Sequence, residues 1–590
     1  MVSEPATLSN YPDAQLLASS SSASKLALAH SASSGRSCIA TADVRAGDWL
    51  CGAASLAIAL EPHRRDERCG FCTATLTPGD NEQRRCDACG VVAICASCRR
   101  AGAARLHAAE CSALSALTAD GGHEELSSLV LLATRLVVGR RATDAAVGEA
   151  LVSGTPLSGV TAAAAAHADL LCTNDEAMGE GEAGRDALRE LQAAGAGLAE
   201  LLGWEPTLDA AKAAATGGAV DEAASAAILR HPTRVLACCA ANAHALVDVA
   251  LPLGEQALGI ALFPPLSFFN HACAPTAALS TRPAPERCAV SGAVRATTAV
   301  GSGGAVSLSY IPLQGRPCEA RRAALQEAYH FHCECVACRD SRRTDAPMLA
   351  PGRPPPSRAA SEDLQQLLFA AHAALLEGEG ECDDGDCGSG SAPTLVGAAA
   401  RGVASLGVGR SHEQALEALR LKAWLAQRQR RWRACARACR QWLAGAAPLL
   451  EVVVAAEAGA CGSLLDPMTV VNQKLVLAAA LTRLAALGVA EAAGGAASDA
   501  SEEEVEEEEE VVGVEADGAS RRRWTKSDDV ARAQRREAAV LLAEARGTAV
   551  RVLGDDHPFV SNTLARHAEA AVGTAGAVSG RKRREREEDR

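Results

Sequence analysis

The stretch FHCECVACR, residues 331–339, places Cys333, Cys335 and Cys338 at C-x-C-x2-C spacing. Three thiols this close suit one tetrahedral metal, and tetrahedral zinc takes four ligands. The spacing therefore predicts a fourth donor from another segment that the fold brings near.

The chain around this stretch has 590 residues, room for several domains of roughly 100–200 residues. It is 48% hydrophobic and 22% charged, and aromatics make up only 3%. Lysine and arginine number 58 against 72 acids, a net charge of −14. That balance argues against direct nucleic-acid binding by the chain as a whole and favours a basic partner. The N-terminus is acidic and serine-rich, without a basic n-region or an apolar core, so no secretory signal is expected. No run of about 18 apolar residues argues for a membrane span. The 23 cysteines, clustered in a chain expected inside the cell, read as metal ligands rather than a disulfide framework.

Periodicity gives an α+β multidomain chain. Residues 1–24 are expected to be disordered. The alternating KLALAH (25–30) reads as a strand, followed by a turn, a second strand near 38–42 and an apolar run over 49–60. A mostly helical region is expected from 124 to about 229, and strands return at 235–311. After the linker APGRPPPSR (350–358), helices are expected at 361–376, 412–443, 467–487 and 528–552, as paired units of tetratricopeptide type. Residues 377–391 and the acidic 494–518 read as solvated loops.

Residues 69–111 hold three C-x2-C pairs and a final H-x3-C: Cys69, Cys72, Cys86, Cys89, Cys95, Cys98, His107 and Cys111. Eight donors of this type make two tetrahedral sites, which supply folding energy that a short module lacks. The arrangement resembles a MYND zinc finger. That likeness implies interleaved ligation: Cys69, Cys72, Cys95 and Cys98 on one zinc, and Cys86, Cys89, His107 and Cys111 on the other. It also implies a protein-interaction role, often for proline-rich peptides. Cys95 and Cys98 stand one residue closer than the family pattern.

Further on, SFFNHACAPT (267–276) resembles the NHxCxPN signature of SET-domain lysine methyltransferases. SLSYIP (307–312) is similar to that family's strand ending in the catalytic tyrosine, and YHFHCECVACR (329–339) to its post-SET segment. The resemblance names the missing donor as Cys273, joined to Cys333, Cys335 and Cys338. Order and spacing together resemble the SET-and-MYND methyltransferase family, well over residues 25–340. In the helical half the likeness rests on LGDDHPFV (553–560). It implies SET parts at 25–68 and 235–314, a finger at 69–111, a helical insert at 112–234 and a post-SET segment at 315–340. A linker at 341–360, a helical C-terminal domain at 361–576 and a charged tail at 577–590 complete the layout.

The same resemblance implies three zincs and S-adenosylmethionine as cofactor. Gly35, Arg36, Asn242, Asn270, His271 and Phe331 would hold the cofactor, Tyr310 would be catalytic, and His244 and Tyr329 would line the substrate-lysine channel. Thr276, His244 and Ser37 depart from the family pattern, and His244 is expected to alter pH dependence or substrate choice. The implied activity is protein-lysine N-methylation of histone tails or non-histone proteins by a monomer without a membrane anchor. The alternative is an inactive adaptor that recruits partners through the finger and the helices. RKRRER (581–586) reads as a nuclear signal or a solvated tail, so a nuclear or cytoplasmic location is expected.

Overall fold

A computed structural model of the protein describes residues 6–7, 25–31, 35–77, 85–119, 126–138, 182–201, 232–251, 255–353, 356–377, 391–450, 462–492 and 519–569. The acidic loop 494–518, the charged tail and most of the helical insert lie outside the described residues.

The N-terminal half is built on three antiparallel three-stranded sheets. The first is β1 (Ala6–Thr7), β2 (Leu26–Ser31) and β3 (Gly35–Ala40). The second has the order β4–β9–β8, from β4 (Trp49–Ala54), β8 (Ala277–Ala284) and β9 (Ala289–Ala296). The third has the order β5–β7–β6, from β5 (Ala57–Leu60), β6 (Ala243–Val247) and β7 (Ala257–Leu262). Several expectations need correcting, among them the return of strands at 235, since residues 235–242 belong to a helix, Pro232–Asn242. Ala6 and Thr7, inside the segment expected to be disordered, pair with His30 and Ala29. The second strand begins at Gly35 rather than near 38, because its register with β2 runs from Ser31↔Gly35. The run 49–60 breaks into two strands because Ser55 still bonds β9 at Val290, while the next residue, Leu56, already donates to Leu262 O on β7.

Strand β9 shows why these residues form a sheet with one buried face. Val290, Gly292, Val294 and Ala296 are buried, while Ser291, Ala293 and Arg295 between them are half-buried. They meet Leu28, Leu50, Phe263 and Phe269 in the central core. Burying each such large side chain stabilises by about 1.5–3 kcal/mol. Gly259 admits β5 to this packing, since a Cβ there would stand 2.0 Å from the Ala59 carbonyl oxygen.

The two-cluster finger, with α1 (Ala96–Arg100) and α2 (Ala103–Leu117), packs on β5. It shares a core with α3 (Ser128–Val138), α4 (Glu182–Leu201) and α5 (Pro232–Asn242), through Leu114, Leu132, Leu198 and Leu236. Helix α6 (Cys318–Tyr329) is the next helix or strand after β9 and leads into the C-x-C-x2-C turn. Residues 307–310, expected as a strand, instead form a single parallel bridge, Leu308 to His271. The expected linker is partly ordered. Met348 is fully buried, Thr344 Oγ1 donates to Ala337 O at 3.0 Å, and Cys318 N–H donates to Asp345 Oδ2 at 2.8 Å.

The C-terminal half contains α7 (Arg358–Glu377), α8 (Ala392–Leu406), α9 (Glu413–Arg428), α10 (Trp432–Leu450), α11 (Pro467–Ala492) and α12 (Ala519–Leu553). The helix expected over 412–443 is two helices. Arg430 turns the chain at φ 57°, and the Arg431 N–H closes on Ala426 O. Helix α8 was not expected, because two interior glycines depress its propensity. Packing of Val396 and Ala399 on Leu364, Leu368 and Leu421 overrides that deficit. Contrary to expectation, Pro467–Leu487 is long and apolar enough by length and composition to cross a membrane. Half of that window is buried, and Val471, Leu475, Ala478 and Leu481 pack within the helical core. It is a core helix.

The two halves are bolted together. Asp466 N–H donates to Leu313 O at 3.1 Å, Glu413 N–H to Gly315 O at 3.0 Å, and Arg282 pairs with Asp556 at 2.6 Å.

Candidate functional site

Among the described residues three clusters of metal-ligand type form, each with all four donor atoms within 4.8 Å of one another. They are Cys69, Cys72, Cys95 and Cys98; Cys86, Cys89, His107 and Cys111; and Cys273, Cys333, Cys335 and Cys338. This is the interleaved partition that the resemblance implied, and Cys273 is the fourth member of the C-x-C-x2-C group. A zinc tetrahedron with bonds of about 2.3 Å has sulfur–sulfur edges of roughly 3.8 Å. The thiols already stand near that spacing: Cys72–Cys95 3.8 Å, Cys86–Cys111 3.6 Å, Cys273–Cys338 3.5 Å and Cys273–Cys333 4.0 Å. The donor sets therefore fit zinc.

Local hydrogen bonds prepare these thiols. Cys95 caps α1, its sulfur accepting from Cys98 N–H at 3.4 Å. Hydrogen bonds from the Cys273 and Cys333 thiols hold Cys335 down at about 6. Burial pushes Cys86 up, but the backbone N–H of Cys89 and the His107 ring bring it to about 6. Both carry substantial thiolate at neutral pH, the form that binds metal.

Two buried arginines complete the surroundings. Arg321, 2% exposed, aims Nη2 at Cys338 Sγ (3.9 Å) and places positive charge beside a four-sulfur cluster. Arg135 forks onto Glu110, which accepts in turn from His107 Nδ1. Sequence reasoning missed both arginines and Glu110. The only available signal was Glu110 three residues after His107, one turn along the same helix face.

The NHAC loop crosses residues 307–310 directly. Leu308 N–H donates to Asn270 O at 3.0 Å and Ala272 N–H to Leu308 O at 2.9 Å. Tyr310 N–H donates to His271 Nδ1 at 3.0 Å, and His271 Nε2 lies 3.3 Å from Cys273 Sγ. His271 thus joins the tyrosine's backbone to the third cluster, and both its ring nitrogens are engaged within the chain. Burial lowers its pKa to about 4 and keeps the ring neutral. Thr276, which departs from the expected asparagine, still ties the crossing: its Oγ1 accepts from Ser307 N–H at 3.0 Å and faces Ala305 O at 3.4 Å.

The Tyr310 hydroxyl donates to Phe269 O at 2.8 Å, and its ring lies 5.0 Å from Tyr329, whose hydroxyl donates to Tyr310 O at 3.3 Å. Tyr310, Tyr329, His244 and Asn242 all line a cavity of about 990 Å³ between the sheets and the helical half. Asn242, buried at the end of α5, donates from Nδ2 to Cys238 O at 2.8 Å. His244 packs 5.9 Å from Phe263, and its Nε2 is buried without a hydrogen-bond partner among the described residues.

Gly35, Arg36, Asn270, His271 and Phe331, also expected at the cofactor, are not among the residues lining this cavity; the His271 ring is 5.4 Å from Tyr310 and 6.1 Å from Phe331. Arg36 stands 5.5 Å over the Phe268 ring, two residues before Asn270, and the preceding Gly35 turns at φ +62°. A Cβ at Gly35 would meet nothing within 4 Å.

No family model matches the chain. Among curated proteins, it is 26% identical over 304 residues to the histone-lysine N-methyltransferase ASHR1 of Arabidopsis thaliana, covering 52% of this chain and 53% of that one. It is 32% identical over 81 residues to the N-lysine methyltransferase SMYD2-B of Danio rerio, covering 14% and 17%. The match thus spans about half of the first relative and less than a fifth of the second. The donor clusters fall into the implied partition, the NHAC loop meets both a tyrosine and a cysteine cluster, and over about half its length the chain is similar to lysine methyltransferases of SET and MYND type.

Proposed function

We propose that the chain is a protein-lysine N-methyltransferase that uses S-adenosylmethionine and carries three structural zincs, two in a MYND-type finger and one in a post-SET segment. The observation that carries this reading is Tyr310. Its ring lines the cavity, its backbone is fixed through His271 to the Cys273 cluster, and its hydroxyl proton is committed to Phe269 O.

That commitment decides what the hydroxyl can do. With its proton donated inward, the oxygen keeps lone pairs that accept from an N–H. A lysine amine entering the cavity past Tyr329 would be oriented by that acceptor. Gly35, Arg36, Asn242, Asn270 and Phe331 would hold the cofactor, with His271 positioning the Tyr310 backbone. The cofactor supplies an electrophilic methyl group on a sulfonium. The chain's contribution is to hold a neutral amine in line with it and to exclude water, which accounts for much of the acceleration in such displacements. No residue forms a covalent intermediate.

The partner would be a protein carrying an accessible lysine, in the nucleus or cytoplasm, with a proline-rich peptide as a second partner of the finger. Among the described lining residues the only charges are Asp466, Lys474 and Arg551. Asp466 caps α11, accepting from Met468 and Thr469 N–H, and Lys474 pairs with Glu544 at 2.7 Å. The cavity therefore does not select for a strongly basic tail, so non-histone lysines suit it as well as histone ones. Labelled cofactor, purified chain and an array of lysine peptides test the reading. Cofactor binding by calorimetry with no transfer to any peptide or protein extract would favour the adaptor alternative.

A further inference from the structure

The buried group Glu110–Arg135 joins the finger to the cavity wall. His107 Nδ1–H donates to Glu110 Oε1 at 3.2 Å, which leaves Nε2 for the cluster, where it stands 3.6 Å from Cys89 Sγ. Arg135 grips both carboxylate oxygens, at 3.0 Å each. Its remaining nitrogen, Nη1, donates to Ile58 O on β5 and to Gly70 O in the first knuckle, both at 2.6 Å. The guanidinium lies 5.1 Å over the Phe71 ring. Glu110 and Arg135 are 5% and 9% exposed. Ile58 pairs across β5–β7 with Ala261, and Ala261 pairs across β7–β6 with His244, which faces the cavity.

We propose that Glu110 and Arg135 are a positioning pair that couples occupancy of the His107 metal site to the strand bearing His244. The pair fixes the ring that meets the metal, and the same guanidinium fixes the β5 carbonyl that registers the sheet. A carboxylate behind a metal-bound histidine commonly strengthens binding about 10–100-fold. Here that carboxylate is itself held by the buried Arg135 charge, so loss of either partner leaves the other's charge buried without its counter-ion. When the metal leaves, the ring is released, and with it the fork that holds Ile58. The inference rests on His107 as a zinc ligand. It does not depend on methyl transfer.

The test uses the full zinc-loaded chain and two readouts other than activity: zinc released to a colorimetric chelator, and backbone hydrogen exchange by mass spectrometry. Glu110→Ala should release one zinc of the three at a chelator concentration roughly 10–100-fold below that needed for wild type. Exchange should rise in β5, β7 and β6 and stay unchanged in β4, β8 and β9. Arg135→Lys should behave alike, because an ammonium cannot form the two-pronged grip. If Glu110→Ala does not fold, Glu110→Gln and wild type stripped of its most labile zinc provide the same comparison. Wild-type zinc retention in Glu110→Gln and Arg135→Lys would overturn the proposal. So would loss of the first zinc with no change in β6 exchange.

Discussion

The hydroxyl of Tyr310 donates its proton to the carbonyl oxygen of Phe269 at 2.8 Å, across a crossing of two segments that are 41 residues apart. Phe269 itself is fully buried in the central core, so the acceptor does not move. The tyrosine oxygen is therefore aimed by the core of the sheets, in a residue that lines the cavity.

Tyr310→Phe isolates that oxygen. The fold loses one hydrogen bond, typically about 0.5–1.5 kcal/mol. If the oxygen orients the reacting amine, turnover should fall about 10²–10³-fold, the usual cost of one preorganised contact. Cofactor affinity by calorimetry should barely change. Turnover equal to wild type in the variant would show that another group does this work.

Removing a metal donor should act locally. Metal analysis of the purified chain should give three zincs, one per cluster. Cys273→Ser should remove one and also free the His271 ring, loosening Tyr310, so zinc and turnover fall together. Cys89→Ser should also remove one zinc, yet leave the Cys273 cluster and Tyr310 intact. A folded chain with one zinc or none would refute the ligand sets.

Much of this site was legible in the sequence because cysteine spacing is a geometric signal: C-x2-C and C-x-C turns converge on a metal whatever surrounds them. The partition of twelve donors and the meeting of Cys273 with Cys333 both followed from pattern and resemblance. What stayed hidden was held by long-range contacts. Arg135 reaches Glu110 over 25 residues and Ile58 over 77, and nothing in HAAEC specifies an arginine partner. Helix α8 escaped because alanine and glycine blur the apolar period, so only its neighbours reveal which face is buried. The role of Phe269 was invisible for a simpler reason, since its backbone carbonyl carries it.

Acid stability should depend on His412. It caps α9, its Nδ1 accepting from Gln414 N–H at 3.3 Å, and it is 5% exposed. Burial lowers its pKa to about 4, against roughly 6.5 unfolded. Protons then bind the unfolded chain more tightly, so this contribution is complete above about pH 6.5 and is lost as pH falls toward 4. At about 1.4 kcal/mol per pH unit, the loss is on the order of 3 kcal/mol. His412→Asn keeps a capping acceptor without that proton. Its urea midpoint should fall less between pH 7 and pH 4.5 than that of wild type, and equal slopes would refute the assignment.

His244 was expected to change either pH dependence or substrate choice, and its surroundings separate the two. Burial lowers its pKa to about 4. The ring is then neutral throughout pH 6–9, so it contributes no ionisation to a rate profile in that range. Its effect must come from shape and from Nε2, a buried nitrogen with no partner among the described residues and in a residue that lines the cavity beside Asn242 and Tyr310. That nitrogen can hold a water or a polar group of the substrate, which phenylalanine cannot. His244→Phe should therefore stabilise the fold slightly, by about 1 kcal/mol, through removal of an unsatisfied polar atom. It should change which peptides are methylated, or how many methyl groups each receives, while kcat/KM against pH keeps its wild-type shape. Mass spectrometry of products and a pH series on one peptide make the measurement. A wild-type limb near pH 6–7 that vanishes in His244→Phe would show that the ring titrates during turnover and that its environment differs from the one described.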